Sequence, residues 1–454
     1  MQNGTTHWVG DTSTPETRDG RPAGLPRTFA IWTIGCQMNK SDSERLASAL
    51  LQLGLEEAPD FRQADVLVLN SCVVRQSAEE KVVGTLGLVK PLKERYPHRI
   101  IVLMGCMVGQ RHDGLRQRFP YVDVFARPQE YKPILDLVSQ RLGINWEGCL
   151  SSFIPQRPGI SAYIPVIHGC DRMCTFCIIP YRRGREVSRP LEEVVQEVRL
   201  LAQRGVREVV LLGQIVDRYG HDLPGRPDLA DLLDAVHAIP GVERIRFLTS
   251  HPADMSERII QAVARLDKVC KHINIPVQAG DDEVLRRMHR GYTRDDYLRL
   301  IERIRSVIPH VALSTDVIVG FCGETEAQFQ RTLDLLREVR FDKVHIAPYS
   351  TRPGTIASRK MEDDVPAEEK RRRVQEVEHL QGRIAAEINA HYLGKTVEVL
   401  VDGRERGKWR GRTGTDKLVF FSDGEQDYMG KLVDVRITKT SPWALQGEPL
   451  GAGR

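Results

Sequence analysis

The sequence predicts an α/β protein built from three consecutive units. These are an N-terminal parallel α/β domain over residues 27–145, a central partial (βα)6 barrel over 156–386 and a small antiparallel β-barrel over 389–449, behind a disordered tail over 1–26. Three observations predict this. Short continuous apolar runs alternate with amphipathic stretches through the first two units, as parallel strands covered on both faces require. After about Leu393 the pattern changes to short alternating strands with glycine-rich turns, which suits a small closed barrel. Between the first two units, Ser151 to Gly159 reads as a Pro- and Ser-containing linker.

Composition bounds the function. A chain of 454 residues with 41% hydrophobic and 28% charged residues has enough apolar surface for two or three cores. Lys and Arg number 65 against 61 Asp and Glu, a net charge of only +4, so any footprint for nucleic acid must be local. Nine cysteines, an odd number with the close-set ones in a metal-like pattern, argue against a disulfide framework and for a reducing, cytoplasmic setting. Residues 1–26 are rich in Thr, Gly, Pro and Arg with no apolar core, so they read as neither signal peptide nor membrane span.

In the first unit, Phe29–Ile34, Val66–Leu69 and Ile100–Met104 read as buried strands, and helical periods begin near Ser41 and Ser77. Each run leads into a cysteine: Cys36, Cys72 and Cys106. Parallel strands present their carboxyl ends on one edge, so three cysteines at equivalent turns can converge on one metal centre. A helix start after Cys36 and Cys72 would favour the thiolate. The competing reading is that each is a small buried hydrophobe. Cys149, Cys270 and Cys322 are isolated and read as structural thiols.

Six apolar runs follow in the second unit: Tyr163–Ile167, Arg207–Leu212, Arg244–Leu248, His272–Pro276, Ala312–Val319 and Lys343–Pro348. Amphipathic stretches such as Leu191–Gln203 and Thr325–Arg340 separate them, the strand–helix repeat of a parallel barrel with chemistry at its carboxyl rim. The loop after the first run carries Cys170, Cys174 and Cys177, three thiols at Cys-x3-Cys-x2-Cys spacing. So short a loop can turn all three sulfurs to one point, and thiolates select iron–sulfur clusters. Three ligands leave one iron of a cubane open. The alternative is a zinc loop completed by His168 or a distant residue, but no second cysteine knuckle is present. Gly213, Gln214, Thr249, Ser250, His251, Gln278, Ser314, Asp316, Gly320 and Glu324 gather at the same rim.

Two basic groups stand out. Arg182, Arg183, Arg185 and Arg189 follow the cysteine loop and suit either phosphates or neighbouring carboxylates, whereas Lys370–Arg373 reads as a solvated helix face. In the last unit, with strands over Thr396–Asp402, Lys417–Phe421 and Leu432–Thr438, Arg404, Arg406, Lys408, Arg410 and Arg412 occupy alternate positions. An extended chain would point all five the same way, as a stripe for nucleic-acid phosphates or a solvated face, unless Gly407 or Gly411 inserts a turn.

The cysteine loop, with Phe176 before its last cysteine, resembles the cluster loop of radical S-adenosylmethionine enzymes, and Ile178 to Pro190 resembles their methylthiotransferase branch. Gly35-Cys36-Gln37-Met38-Asn39 and Asn70-Ser71-Cys72 are similar to that family's amino-terminal domain, and Gly411-Arg412-Thr413 with Gly430–Thr438 to its closing RNA-binding (TRAM-like) barrel. The resemblance implies two [4Fe-4S] clusters, one on Cys170, Cys174 and Cys177 and an auxiliary one on Cys36, Cys72 and Cys106. It implies S-adenosylmethionine as both radical source and methyl donor, held by Phe176, Gly213, Gln214, Thr249, Ser250, Gln278, Ser314, Asp316 and Val319. It also implies a tRNA anticodon stem-loop as substrate, a one-electron donor such as flavodoxin or ferredoxin, and a monomer with no membrane association. The expected reaction adds a methylthio group to C2 of N6-isopentenyladenosine. Threonylcarbamoyladenosine in tRNA, a ribosomal-protein aspartate and a non-catalytic metal-stabilised RNA binder are the alternatives. Two departures from the family pattern are Ile215, where Asn is usual, and Cys322, where Pro is usual.

Overall fold

The computed structural model describes residues 25–73, 76–109, 112–146, 153–422, 426–451 and 453. Most of the expected tail, Cys149 and the start of the expected linker lie outside them.

The first domain runs β1 (Thr28–Thr33), α1 (Gln37–Gln52), β2 (Glu56–Glu57), β3 (Val66–Ser71), α2 (Gln76–Arg95), β4 (Ile100–Gly105), α3 (Asp113–Arg118), β5 (Val124–Ala126) and α4 (Lys132–Leu142). All strands are parallel, in the order β2-β1-β3-β4-β5. Because both faces are covered, β3 and β4 are buried at every position, the physical source of their continuous apolar runs. Val66, Val68, Val102 and Met104 pack under α1 and α4, while Leu67, Leu69, Ile101 and Leu103 face α2. The edge strands β2 and β5, two and three residues long, are too short to have left a pattern.

The central domain runs β6 (Ser161–Pro165), β7 (Ile167–His168), α5 (Ile179–Arg183), β8 (Val187–Ser188), α6 (Leu191–Gln203), β9 (Glu208–Leu212), α7 (Leu229–His237), β10 (Arg244–Leu248), α8 (Glu257–Arg265), β11 (His272–Asn274), α9 (Asp282–Arg287), α10 (Arg294–Val307), β12 (Ala312–Val319), α11 (Glu326–Val339), β13 (Lys343–Pro348), α12 (Ile356–Lys360) and α13 (Ala367–Ala390). Its six expected strands form two parallel triplets, β6-β9-β10 and β11-β12-β13. The bridge Ile245↔Val269 and the bond from Ser250 N–H to the Asn274 carbonyl (3.1 Å) join them into an open barrel. The first domain docks on the β6 edge, where Ser41 Oγ donates to the Tyr163 carbonyl (3.1 Å) and Arg45 pairs with Glu197.

The last domain, β14 (Thr396–Glu405), β15 (Lys408–Thr413), β16 (Leu418–Phe421), β17 (Leu432–Thr440) and β18 (Leu445–Pro449), closes as β14-β15-β16-β18-β17. The expectation of a purely antiparallel barrel needs correcting, because β16 and β18 pair in parallel to close the ring. Arg244 and Arg246 of β10 reach across to it, donating to the Arg412 carbonyl (2.5 Å) and the Thr413 carbonyl (2.7 Å).

Candidate functional site

Three neighbouring strands, β1, β3 and β4, lead into Cys36, Cys72 and Cys106, so the three cysteines follow equivalent strand ends along one edge of the sheet. Cys72 and Cys106 are buried and Cys36 is exposed. The turn before Cys106 is tight. Gly105 has φ +95°, and a Cβ there would sit 2.5 Å from both Asn70 Oδ1 and the Ser71 carbonyl oxygen, so only glycine fits. Cys36 stands at the N-cap of α1, with Asn39 Oδ1 accepting from its backbone N–H at 3.3 Å. Cys72 lies four residues before α2, so of the two cysteines expected at a helix start Cys36 alone stands at one. Burial pushes the Cys106 thiol up.

The second trio sits in a loop pinched at its neck by the β7–β8 pair. Gly169 (φ +76°) closes the neck, since a Cβ would lie 1.9 Å from the Arg185 carbonyl oxygen. Cys170 N–H donates to the Gly184 carbonyl (3.1 Å), Cys177 N–H to the Cys174 carbonyl (3.0 Å), and Thr175 ties the loop to Met288 and Arg287. Burial pushes Cys170 and Cys177 up to about 12, so their thiolates need a bound cation. Arg290, fully enclosed, donates from Nη1 to Cys174 Sγ at 3.3 Å and from Nη2 to the Pro276 carbonyl at 3.0 Å.

The donor set fits a polynuclear centre better than zinc. A tetrahedral zinc with Zn–S near 2.3 Å draws its sulfurs to roughly 4 Å from one another. Among the described residues, the one group of three His, Cys, Asp or Glu ligand atoms within 4.8 Å of one another is Asp171, Glu186 and His221, with no cysteine in it. That group already holds guanidinium groups, from Arg185 on Asp171 (2.8 Å) and Arg218 on Glu186 (2.7 Å).

The two trios meet across α5. Ile178, next to Cys177, packs in the first domain's core with Cys106 and Met107. At the other end of α5, Arg183 interacts with the Cys106 thiol and lies in the field of Cys36. Beside α5 opens a cavity of about 650 Å³ lined by Phe176, Cys177, Gln278, Asp316, Tyr349 and Arg352 among others. Arg352 also interacts electrostatically with Cys72.

Of the expected pocket residues, Phe176, Gln278 and Asp316 therefore line this cavity with Cys177. Gly213 lies where β9 approaches β7, a Cβ there being 2.5 Å from Ile167 Cγ2, and Gln214 follows it with Oε1 buried and unpartnered among the described residues. Thr249 takes a left-handed conformation (φ 71°), and Ser250 Oγ donates to Asp217 (2.8 Å). Ser314 Oγ accepts from Asn274 Nδ2 (3.1 Å) and bonds His272 (3.0 Å) inside the barrel, and Val319 lies in its hydrophobic core, so neither lines this cavity. Gly320 and Glu324 bond each other at 2.5 Å in the turn after β12, an internal lock.

The basic groups also differ from expectation. Arg183 and Arg189 are ion-paired inside the fold, with Asp42 (3.6 Å) and Glu197 (2.7 Å), and Arg185 is held by Asp171. Lys370 and Arg373 are buried on Asp363 and Glu324, so the run is not wholly a solvated face. The five-residue stripe is folded by a hairpin turn at Arg406 (φ 50°) and Gly407 (φ 79°). Lys408, Arg410 and Arg412 alternate along β15 with the buried Trp409, Gly411 and Thr413 and so share one face, while Arg404 stacks over Trp409 at 4.2 Å. Arg410 pairs with Asp402 (2.9 Å) and Arg412 with Asp416 (3.3 Å). Cys270 and Cys322 are buried thiols, as expected. Sequence reasoning passed over Arg290, Arg352 and Tyr349, since a buried arginine carries the same letter as a solvated one.

Comparison with known proteins follows the same three-part division. Residues 28–126 match the Uncharacterized protein family UPF0004, 164–336 the Radical SAM superfamily and 390–450 the TRAM domain. The tRNA-2-methylthio-N(6)-dimethylallyladenosine synthase of Roseiflexus sp. is 52% identical over 446 residues, 97% of this chain and 93% of that one. Proteins of the same name from Herpetosiphon aurantiacus and Chloroflexus aurantiacus are 50% and 51% identical over 93% of this chain, covering 97% and 91% of their own lengths. Among solved structures, the radical S-adenosylmethionine methyltransferase TsrM from Kitasatospora setae, with cobalamin and a [4Fe-4S] cluster bound, shares the fold at 15% identity, with a TM-score of 0.56 and 74% of each chain covered.

Proposed function

The chain belongs to the family of tRNA-2-methylthio-N(6)-dimethylallyladenosine synthases, and we propose that it carries two [4Fe-4S] clusters, one on Cys170, Cys174 and Cys177 and one on Cys36, Cys72 and Cys106. It is a radical S-adenosylmethionine methylthiotransferase acting on tRNA, adding a methylthio group to C2 of N6-isopentenyladenosine, dimethylallyl and isopentenyl naming one substituent. The base stands next to the anticodon. When bound, the clusters supply the electron that cleaves S-adenosylmethionine and the sulfur that is transferred.

The chain's own residues set the geometry. Arg290 keeps a fixed positive charge and an N–H on Cys174. Phe176, packed edge-on against Phe321, and Tyr349, also against Phe321, give the cavity an apolar wall that keeps bulk water from reactive species. Arg352, between that cavity and Cys72, is a cation placed for the anionic parts of a substrate spanning both. The face of Lys408, Arg410 and Arg412 with Arg404 beside it takes the tRNA backbone, the share of binding that carries no sequence information. A flavodoxin or ferredoxin supplies electrons, and the enzyme works as a cytoplasmic monomer. No helix among the described residues is long and apolar enough to cross a membrane.

The observation that carries this reading is α5, which begins against one thiol trio and ends against the other. The names of the relatives favour isopentenyladenosine over threonylcarbamoyladenosine or a protein substrate. Anaerobically reconstituted protein should hold about eight irons, two cubanes on six thiolates. Cys36→Ala should still release 5′-deoxyadenosine but install no sulfur in isopentenylated tRNA, and Cys174→Ala should do neither. Equal loss of both products in the two variants contradicts the division of labour.

A further inference from the structure

Arg183 belongs to the central domain yet buries its side chain in the first, with 2% of the side chain exposed. It faces Asp42, a residue of α1, whose side chain is fully enclosed, at 3.6 Å, longer than a hydrogen bond. Tyr131 Oη holds the other carboxylate oxygen of Asp42 at 3.0 Å. Both terminal nitrogens of Arg183, and Asp42 Oδ2, are buried without a partner at full hydrogen-bond geometry among the described residues, Asp42 and the Cys106 thiol being their looser neighbours. A guanidinium so placed should be costly, since unmet buried donors each forfeit their hydration. Its neighbours on the remaining side are Cys106 and Cys36, two of the three thiols at the sheet edge.

Those unmet donors are accounted for if sulfur acceptors stand beside them. A cubane held by three thiolates is a net anion bristling with weak acceptors, and its reduction potential follows the charge and hydrogen bonds around it. The analogous position on the other trio is filled by Arg290, which already touches Cys174 Sγ at 3.3 Å. Buried arginines thus stand at both trios, Arg290 at one and Arg183 and Arg352 at the other, and Arg183 is the one whose side chain faces a fully enclosed carboxylate, that of Asp42.

We propose that Arg183 is a positioning residue for the sulfur-carrying centre: its terminal N–H groups donate to the sulfurs of the auxiliary cluster, and its charge, fixed by Asp42, holds that cluster at a raised reduction potential. This rests on the assignment of a cluster to Cys36, Cys72 and Cys106. It also explains why α5 must penetrate the first domain: the segment after Cys177 delivers the charge that its partner cluster requires.

The test uses the full chain with Cys170, Cys174 and Cys177 all changed to Ala, so that only the auxiliary centre remains. Dye-mediated potentiometry followed by electron paramagnetic resonance reads its midpoint, alongside iron content and thermal unfolding. Arg183→Met should lower the midpoint by at least 59 mV, a tenfold change in a one-electron equilibrium. Arg183→Lys, which keeps the charge, should recover most of that shift. Asp42→Asn with Arg183→Met removes both charges without orphaning either, and should show the lowered midpoint in a folded protein should the single variant misfold. Loss of iron in Arg183→Met but not in Arg183→Lys, at unchanged unfolding temperature, also supports the role. An unmoved midpoint in both the Met and the double variant, or equal iron loss in Met and Lys variants, overturns it. A parent triple-Ala protein that binds no iron overturns the cluster assignment itself, and this inference with it.

Discussion

Arg246 is the residue whose removal should do most harm for least chemistry. From β10 its Nε donates to Glu208 Oε2 at 2.7 Å and its Nη2 to the Thr413 carbonyl of the last domain at 2.7 Å, with Asp416 at 3.7 Å from Nη1. The side chains of Arg246 and Glu208 are 6% and 9% exposed. Arg246→Ala strands the Glu208 carboxylate, left only the Ser161 hydroxyl (2.9 Å), and takes one of two donors from the Thr413 carbonyl, which keeps the Asp416 N–H (3.1 Å). Breaking a buried pair from one side costs about 3–5 kcal/mol, and about 1.4 kcal/mol is a decade, so undocking of the closed barrel becomes roughly a hundred- to several-thousand-fold more frequent. Hydrogen exchange across residues 408–421 reads this directly, as does an early transition in urea. Glu208→Gln with Arg246→Met should be milder than Arg246→Ala alone, because neither charge is then orphaned. Unchanged exchange in Arg246→Ala, or a double variant no better than the single, would refute the reasoning.

Two further outcomes are expected. Burial pushes Asp217 up to about 7, against an ordinary value near 3.9. The folded chain therefore holds this proton more tightly than the unfolded chain, and the contribution to stability falls as pH rises from about 4 to about 7 and is level above. Asp217→Asn lacks that titration, so the difference in urea midpoint between wild type and variant should shrink across the window and stay constant above it; parallel curves would contradict the assignment. Changing Lys408, Arg410 and Arg412 together to Ala should weaken tRNA binding and reduce the slope of log affinity against log salt by about 2–3, at about 0.7–0.9 for each phosphate no longer neutralised. An unchanged slope would take the β15 face out of the RNA footprint.

The strands were legible because burial on both faces leaves an unbroken apolar run, as in β3 and β4, and the cysteines because a turn that repeats after three parallel strands fixes their shared edge. What the letters did not disclose was partnership. Arg183 and Arg185 stand two positions apart in one basic run, yet one is enclosed on Asp42 and the other is 88% exposed on Asp171. The same holds for Arg410 and Arg412, whose alternation was read correctly within β15, whereas Arg406 was lost to the turn that two consecutive positive φ angles impose. Strand periodicity tells a face from its opposite, but not what a hydroxyl on the inner face meets, which for Ser314 is His272 and Asn274.

Both domain seams are crossed by largely enclosed ion pairs: Asp42–Arg183 and Arg45–Glu197 on one side, Asp342–Lys417 and Arg246–Asp416 on the other. Such pairs are weak glue, since dehydrating two charges consumes most of their attraction, and apolar residues of equal volume often hold a seam more firmly. Their distinguishing property is intolerance of misalignment: a slide of an ångström or two leaves buried charge unpaired, while an apolar seam slides at little cost. The proposed chemistry has the same intolerance, because in it one adenine carbon is reached in turn from two cysteine trios on different domains, and small misplacements cost orders of magnitude in rate. Charged seams therefore suit an enzyme whose site is divided between rigid bodies, and the Glu208→Gln, Arg246→Met protein offers the check: it should approach wild-type stability while binding tRNA less tightly, since only the last domain's orientation has been released.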